Sequence, residues 1–254
     1  MTKRVLFHCV SIVIVSLSLT SCLHYYYSPN GQNVPLFQEE KEIRASAALS
    51  AGDISKGVEI QSAYAVTNHV GIMLNGYYCK AENYSSSTGY LGGDNGWVEF
   101  MQVEAGGGFF QPLGKNLVLE AYGGIGGGSV RNNYDFQHLS HGYFSKVFFQ
   151  PSIGVTNQGV DFAFSTRFAG LNYHKVTYDK EMYYIDHDHI DHIQQQRFYS
   201  LIEPAFTFRV GWEYVKMQFQ LGYSANRTNK DLFQENINAN MGIYVSIADK
   251  FKRD

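Results

Sequence analysis

Three cysteines in 254 residues leave this chain little room for disulfide or thiolate-metal chemistry. No Cys-x-x-Cys pair is present, which excludes the usual zinc and dithiol-redox arrangements. Proline is sparse, at five residues, and tryptophan sparser, at two. There is no uninterrupted run of about 20 apolar residues, the length a helix needs to cross a bilayer. Basic residues form no clustered face, and 20 Lys and Arg are outnumbered by 23 Asp and Glu. Nucleic acid is excluded as a partner on that ground.

What is present begins with a short apolar leader. Lys3 and Arg4 precede a stretch from Val5 to Leu19 that Ser11, Ser16 and Ser18 interrupt, the layout of a secretory signal peptide. It ends in Leu19-Thr20-Ser21-Cys22, which resembles a bacterial lipobox. The resemblance implies residues 1–21 as a leader and a diacylglycerol on the thiol of Cys22. Cys79 is then alone, and loss of Lys3 and Arg4 leaves 18 basic residues against 23 acidic ones. Residues 22–42 show neither helical nor strand periodicity and are predicted to be a lipidated tether, with a reach of about 65 Å when extended. Tyr25, Tyr26 and Tyr27, next to the lipid, suit a headgroup region where amphipathic rings gather.

From Ile43 onward the dominant period is two. In "VKMQFQLGYSA", Val215, Met217, Phe219, Leu221 and Tyr223 oppose Lys216, Gln218, Gln220, Gly222 and Ser224. "VDFAFSTRF" and "INANMGIYVSI" alternate in the same way, as strands do when one face is apolar and the other polar. Ten such segments lie near 43–51, 57–67, 70–81, 97–110, 117–130, 144–156, 160–175, 197–210, 215–225 and 236–248. Many match the roughly 9–11 residues of a tilted membrane-crossing strand. Short turns ("TNHV", "QPLGKN", "TNQG", "GWEY") alternate with longer polar connections near 82–96, 131–143, 176–196 and 226–235. The predicted fold is therefore all-β: an antiparallel up-and-down transmembrane barrel of about ten strands over 43–251. Short turns belong in the periplasm and long loops outside. An even strand number puts both ends of the barrel, and with them the tether, on the periplasmic side.

The glycine-rich stretch 104–130 suits the bends of a small, strongly curved barrel. Its "GGIGGG" lacks the Gly-Lys-Ser/Thr of a phosphate loop. Tyr77, Tyr78, Phe109, Phe110, Tyr134, Tyr173, Phe198 and Tyr214 lie near predicted strand ends, where aromatic girdles form. "NMGIYVSI" (240–247) resembles the C-terminal assembly signal of outer-membrane barrels. Together with "YAVTNHVGIMLNGYY" (64–78), it makes most of residues 25–251 similar to barrel lipoproteins of Bacteroidota, a resemblance that brings no established activity. "LHYYY" lacks the acidic cluster that resembles that phylum's surface-export signal, which implies an anchor in the periplasmic leaflet.

On the polar faces lie Arg44, Glu59, Glu104, Glu120, Arg167, Glu203, Arg209 and Lys216, predicted to form a charge network that closes the lumen. Glu59, Glu104, Arg167 and Glu203 fall at one level, with Arg167 and Glu203 as the closest pair. Arg209 and Lys216 are expected to face each other, screened by Glu213 or solvent. "IDHDHIDHI" (185–193) falls in the fourth outer loop. His187, His189, His192 and Asp188 there could ligate a divalent metal, although no bend in the sequence gathers them and no His-Glu-x-x-His occurs. Ten-strand proteases of the omptin type carry an acidic pair and an aspartate–histidine dyad on their loops. The second loop here offers only Asp94, with Glu99 on the strand that follows, so the match fails and no catalytic residue is assigned. The reading is a lipid-anchored outer-membrane barrel of structural or partner-binding role, without catalysis and with no cofactor beyond the lipid. Its partners would be membrane lipid and a neighbouring outer-membrane complex. A small channel, and a metal-binding or hydrolytic surface barrel, are the alternatives.

Overall fold

A computed structural model describes residues 24–82, 96–134, 138–178, 184–228 and 231–248, without the side chains at 184–189. The strands are β1 (Ile43–Ala51), β2 (Lys56–Ala65), β3 (Val70–Glu82), β4 (Trp97–Leu113), β5 (Leu117–Asn133), β6 (Leu139–Thr156), β7 (Val160–Tyr178), β8 (Phe198–Gly211), β9 (Val215–Tyr223), β10 (Ala225–Asn226) and β11 (Ile237–Ile247). Consecutive strands pair antiparallel from β1 to β9, β9 pairs with β11, and β11 returns to β1. The sheet is thus a closed barrel, with β10 a two-residue addition to β8. Closure matters because, among the described residues, each of the ten long strands is paired on both sides, so none presents a sheet edge of unpaired amides that apolar surroundings could not satisfy.

Alternation decides which way each side chain faces. Outward-facing Leu49, Ile60, Phe109 and Ile125 are 66–69% exposed, whereas inward-facing Arg167 is fully buried. The polar face is inside and the apolar face outside, the reverse of a soluble barrel and the partition of a transmembrane one. The outward face stops being apolar at a ladder near the long-loop end. Lys80 lies opposite Glu99 and Glu99 opposite Arg131, with Lys80 and Arg131 both over the Trp97 ring. Met101, one outward position lower on β4, is again apolar and exposed.

Of the predicted girdle residues, Tyr78, Phe109, Phe198 and Tyr214 face outward, but Tyr77, Phe110, Tyr134 and Tyr173 are buried in the lumen. Proximity to a strand end was the wrong criterion, because residue parity decides the face. β5 and β6 also extend further than predicted, pairing as far as Asn133↔Leu139, so the second long connection shrinks to 134–138. The fourth is not an extended loop. Residues Tyr184–Gln195 form helix α1, with Ile190 and Ile193 buried. The side chains of His187, Asp188 and His189 lie outside the description, and His192 is exposed. No group of three metal-capable side chains occurs among the described residues.

The glycines serve packing. Inward positions 124, 126 and 128 of β5 are all glycine. A Cβ at Gly124 would meet the Phe148 ring at 2.5 Å, and one at Gly128 the Phe144 ring at 2.7 Å. Two large β6 side chains therefore lie across a stripe of bare backbone.

Ile125 faces outward at the middle of β5. Replacing it with Arg should cost about 2–4 kcal/mol, as a cation on a lipid-facing strand near the midplane does. The urea midpoint of the protein refolded into liposomes should fall accordingly.

Candidate functional site: the occupied lumen

The predicted tether fills the barrel. Residues 25–37 are buried throughout, and the segment runs the length of the lumen. At the long-loop end, His24 Nε2 lies 3.2 Å from the Asn133 carbonyl, and its ring packs on Tyr134 at 4.2 Å. At the short-turn end, Gln38 Nε2 donates to the Lys115 carbonyl and Glu40 N to Asn68 Oδ1. The chain then enters β1. Strand β1 does start at the short-turn end, where Ile43 pairs with Ile247, but residue 24 lies at the opposite end.

Three zones of the segment match three levels of lumen. Tyr25–Tyr27 form the outer zone among Tyr77, Phe100, Phe144 and Tyr173, with the Tyr27 and Phe100 rings edge-on at 5.8 Å. These rings are core, not headgroup anchors. Ser28–Asn33 are polar and meet the charged belt. Val34, Leu36 and Phe37 form the inner zone, where Phe37 packs on Phe110 at 5.2 Å. Leu36 sits in the left-handed region (φ 55°), a conformation costing a non-glycine residue about 1–2 kcal/mol, and it turns the chain toward β1.

A peptide in a lumen has no ladder, so its backbone groups need other partners. Amide side chains supply many of them. Gln220 Oε1 accepts from Gln32 N and its Nε2 donates to the Gln32 carbonyl. Gln61 donates to the Gly31 carbonyl, Gln150 to that of Asn33 and Asn238 to that of Pro29. Gly31 N donates to both Glu59 oxygens at 3.1 Å. A Cβ at Gly31 would sit 2.2 Å from Glu59 Oε2 and 2.5 Å from Asn240 Nδ2, so any larger residue must displace side chains that bond the thread. Pro29 and Pro35 bring no N–H to satisfy.

All eight predicted lumen charges are buried. Around Asn30 the central knot assembles. Arg167 Nη1 donates to Asn30 Oδ1 at 2.8 Å and to Glu104 Oε1 at 3.3 Å, while Asn30 Nδ2 donates to Glu104 Oε2 at 3.0 Å. Arg167 and Glu203 are register partners, yet their closest charged atoms are 3.9 Å apart, so Glu104 is the nearer acid. Lys146, absent from the predicted set, bridges the two acids. Its Nζ lies 2.9 Å from Glu104 and 3.7 Å from Glu203, and donates to Tyr27 Oη at 2.8 Å. Tyr27 Oη in turn donates to Glu203 at 2.7 Å. Glu59 shares this level through Gly31, and Glu120 lies lower, accepting from Phe37 N.

At the short-turn end, Arg209 lies opposite Gln218, not Lys216. Asp161, also unpredicted, separates the two cations, 2.6 Å from Lys216 and 3.8 Å from Arg209. It replaces the expected Glu213 or solvent. Arg44 pairs with Glu42. At the other end, Glu235 accepts from Ser28 Oγ at 2.6 Å, from Ser55 Oγ at 2.7 Å and from the amides of Ile54 and Ser55. The segment 233–235 also bonds the thread's backbone at Tyr26 and Tyr27.

Two signals could have revealed the occupied lumen. Residues 23–38 contain no charged side chain, which is unusual for a solvated tether, and inward strand positions are rich in Gln and Asn. Lys146 was obscured because Phe144, Phe148, Val147 and Phe149 make both faces of its strand look apolar.

The fold and lumen together define a transmembrane β-barrel closed by its own N-terminal segment. No family model and no curated protein matches the chain. Among solved structures it is similar to an outer membrane channel from Pseudomonas putida F1, at 8% identity and a TM-score of 0.43, over 86% of this chain and 100% of that one. It is also similar to CdiB from Acinetobacter baumannii, at 8% identity and a TM-score of 0.23, over 82% of this chain and 60% of that one.

Two substitutions test the packing of the lumen. Gly31→Ala should destabilise by roughly 1–3 kcal/mol through overpacking. Glu104→Gln strands Arg167 and Lys146 with one acid fewer, and breaking a buried network of this kind costs about 3–5 kcal/mol. Both effects are read as urea midpoints in detergent micelles, with an outward Val103→Leu change as the silent control.

Proposed function

We propose that the protein is an outer-membrane barrel, lipid-anchored through Cys22, with a structural or partner-binding role rather than catalysis or conduction. Its own N-terminal segment in the lumen carries this reading. A ten-strand barrel has little interior once side chains fill it. Here residues 25–37 occupy the space left over, and their backbone is bonded to the wall from one end to the other. No water-wide path is needed for any of these contacts, and a charge knot across the middle opposes ion passage. The outward apolar face supports residence in a bilayer. Inward polar residues, short turns at one end and longer connections at the other support the outer membrane. Helix α1 and the connections beside it are the surfaces offered to a neighbouring membrane protein. Bacteroidota origin accords with the sequence resemblance.

Planar-bilayer recording tests this directly. The intact protein should give no stable conductance steps, and a variant lacking residues 24–37 should give them if it closes into a barrel. Steps from the intact protein would overturn this reading in favour of the small-channel alternative.

A further inference from the structure

We propose that the lumen is a conduit by which the chain carries its own N-terminal end to the long-loop face, so that Cys22 and its lipid are displayed on the exterior side of the membrane. This rests on the reading of the protein as a lipid-anchored outer-membrane barrel.

The direction of the thread is fixed at both ends and in the middle. His24 is held by Asn133, the last residue of β5, and by Tyr134, which follows it. Tyr26 Oη bonds Tyr134 Oη, and the Tyr26 carbonyl accepts from Tyr173 at 2.7 Å. Glu235 ties Ser28 to the connection at 52–55. All of these lie toward the long-loop end. Phe37, Gln38 and Glu40 are held by Glu120, Lys115 and Asn68 near the short turns. A reversed thread would put Tyr25–Tyr27 against the Arg44–Asp161–Lys216 cluster and would lose the Asn30 and Gly31 contacts.

Reach then decides where the anchor lies. Only Leu23 separates Cys22 from His24, two residue steps that span at most about 7 Å. The hydrocarbon core is about 30 Å thick, so a lipid on Cys22 cannot return to the short-turn face while His24 stays where it is. The topology also implies an order of events. The thread is continuous with β1, and β1 closes the barrel against β11. A diacyl chain cannot pass a lumen already filled with side chains. The segment is therefore in place before β1 and β11 pair, and the barrel closes around it.

The test is the side of the membrane on which the N-terminus appears. Three variants of the full chain, produced in a Gram-negative host, each carry one epitope: between Cys22 and Leu23, within 83–95, or after Asp254. Antibody binding is compared between intact and permeabilised cells. Conduit topology is expected to expose the first two epitopes on intact cells and the third only after permeabilisation. Binding to the 83–95 epitope on intact cells, with the epitope after Cys22 hidden until permeabilisation, overturns the conduit and leaves the barrel reading standing. An 83–95 epitope hidden on intact cells, or a C-terminal epitope exposed on them, overturns the outer-membrane reading and the conduit with it.

Where the insertion after Cys22 prevents folding, judged by loss of heat-modifiable migration, His24→Cys replaces it, probed with a membrane-impermeant maleimide. Cys79 is buried and gives the background. Labelling of intact cells equal to that of permeabilised cells supports the conduit. Labelling only after permeabilisation, or none in either state, overturns it.

Discussion

The contact between the Asn30 side chain and the Glu104–Arg167 pair is the point on which the rest of the molecule turns. One neutral amide accepts from a guanidinium and donates to a carboxylate, both fully buried. Charges this deep are tolerable only when each has partners, since an isolated buried ion costs far more than its pair returns. The barrel wall provides Glu104 from β4, Lys146 from β6, Arg167 from β7 and Glu203 from β8, four strands around one side of the lumen. They meet directly, with Glu104 between Lys146 and Arg167 and Lys146 reaching on toward Glu203. The thread adds the remaining partners, Tyr27 between Lys146 and Glu203 and Asn30 between Arg167 and Glu104.

Much of the barrel's composition follows from that constraint. A peptide without a sheet partner needs donors and acceptors at fixed intervals, and Gln61, Gln150, Gln220 and Asn238 supply them from the wall. A peptide inside a narrow tube also needs space. Glycines at 71 and 154 leave room for Phe37 and Leu36, since a Cβ at either position would come within 2.9 Å of those side chains. Glycines at 124 and 128 let Phe148 and Phe144 lie flat, and the Arg167 guanidinium sits 5.0 Å over the Phe148 ring. The glycine-rich hairpin, which the sequence shows as a bend-forming segment, thus also serves as the floor under the charge knot.

Much of the wall was legible in advance. Period-two alternation located the ten long strands to within a few residues and sorted Val215 from Lys216, and Phe168 from Arg167, onto the correct faces. The eight lumen charges were found by parity alone. Parity failed where both faces are apolar, as around Lys146. Parity also outweighs nearness to a strand end, since Tyr77, Phe110, Tyr134 and Tyr173 lie near strand ends yet point into the lumen. Helix α1 was hidden because its His- and Asp-rich stretch carries no strong apolar period, and two buried isoleucines are a thin signal.

By itself, the sequence determined a closed antiparallel barrel, its strand order, its inside-out partition and the identity of most buried charges. These depend on residue parity and turn spacing, which are local. That residues 24–37 run through the lumen, and that residue 24 emerges beside the long loops, follows from contacts made only in the assembled barrel. Segment 23–42 has no periodicity of its own, so nothing local tells a tether from a thread. The conformation of residues 24–37 is set by partners 28 to 209 residues away along the chain, brought within reach only when the barrel closes.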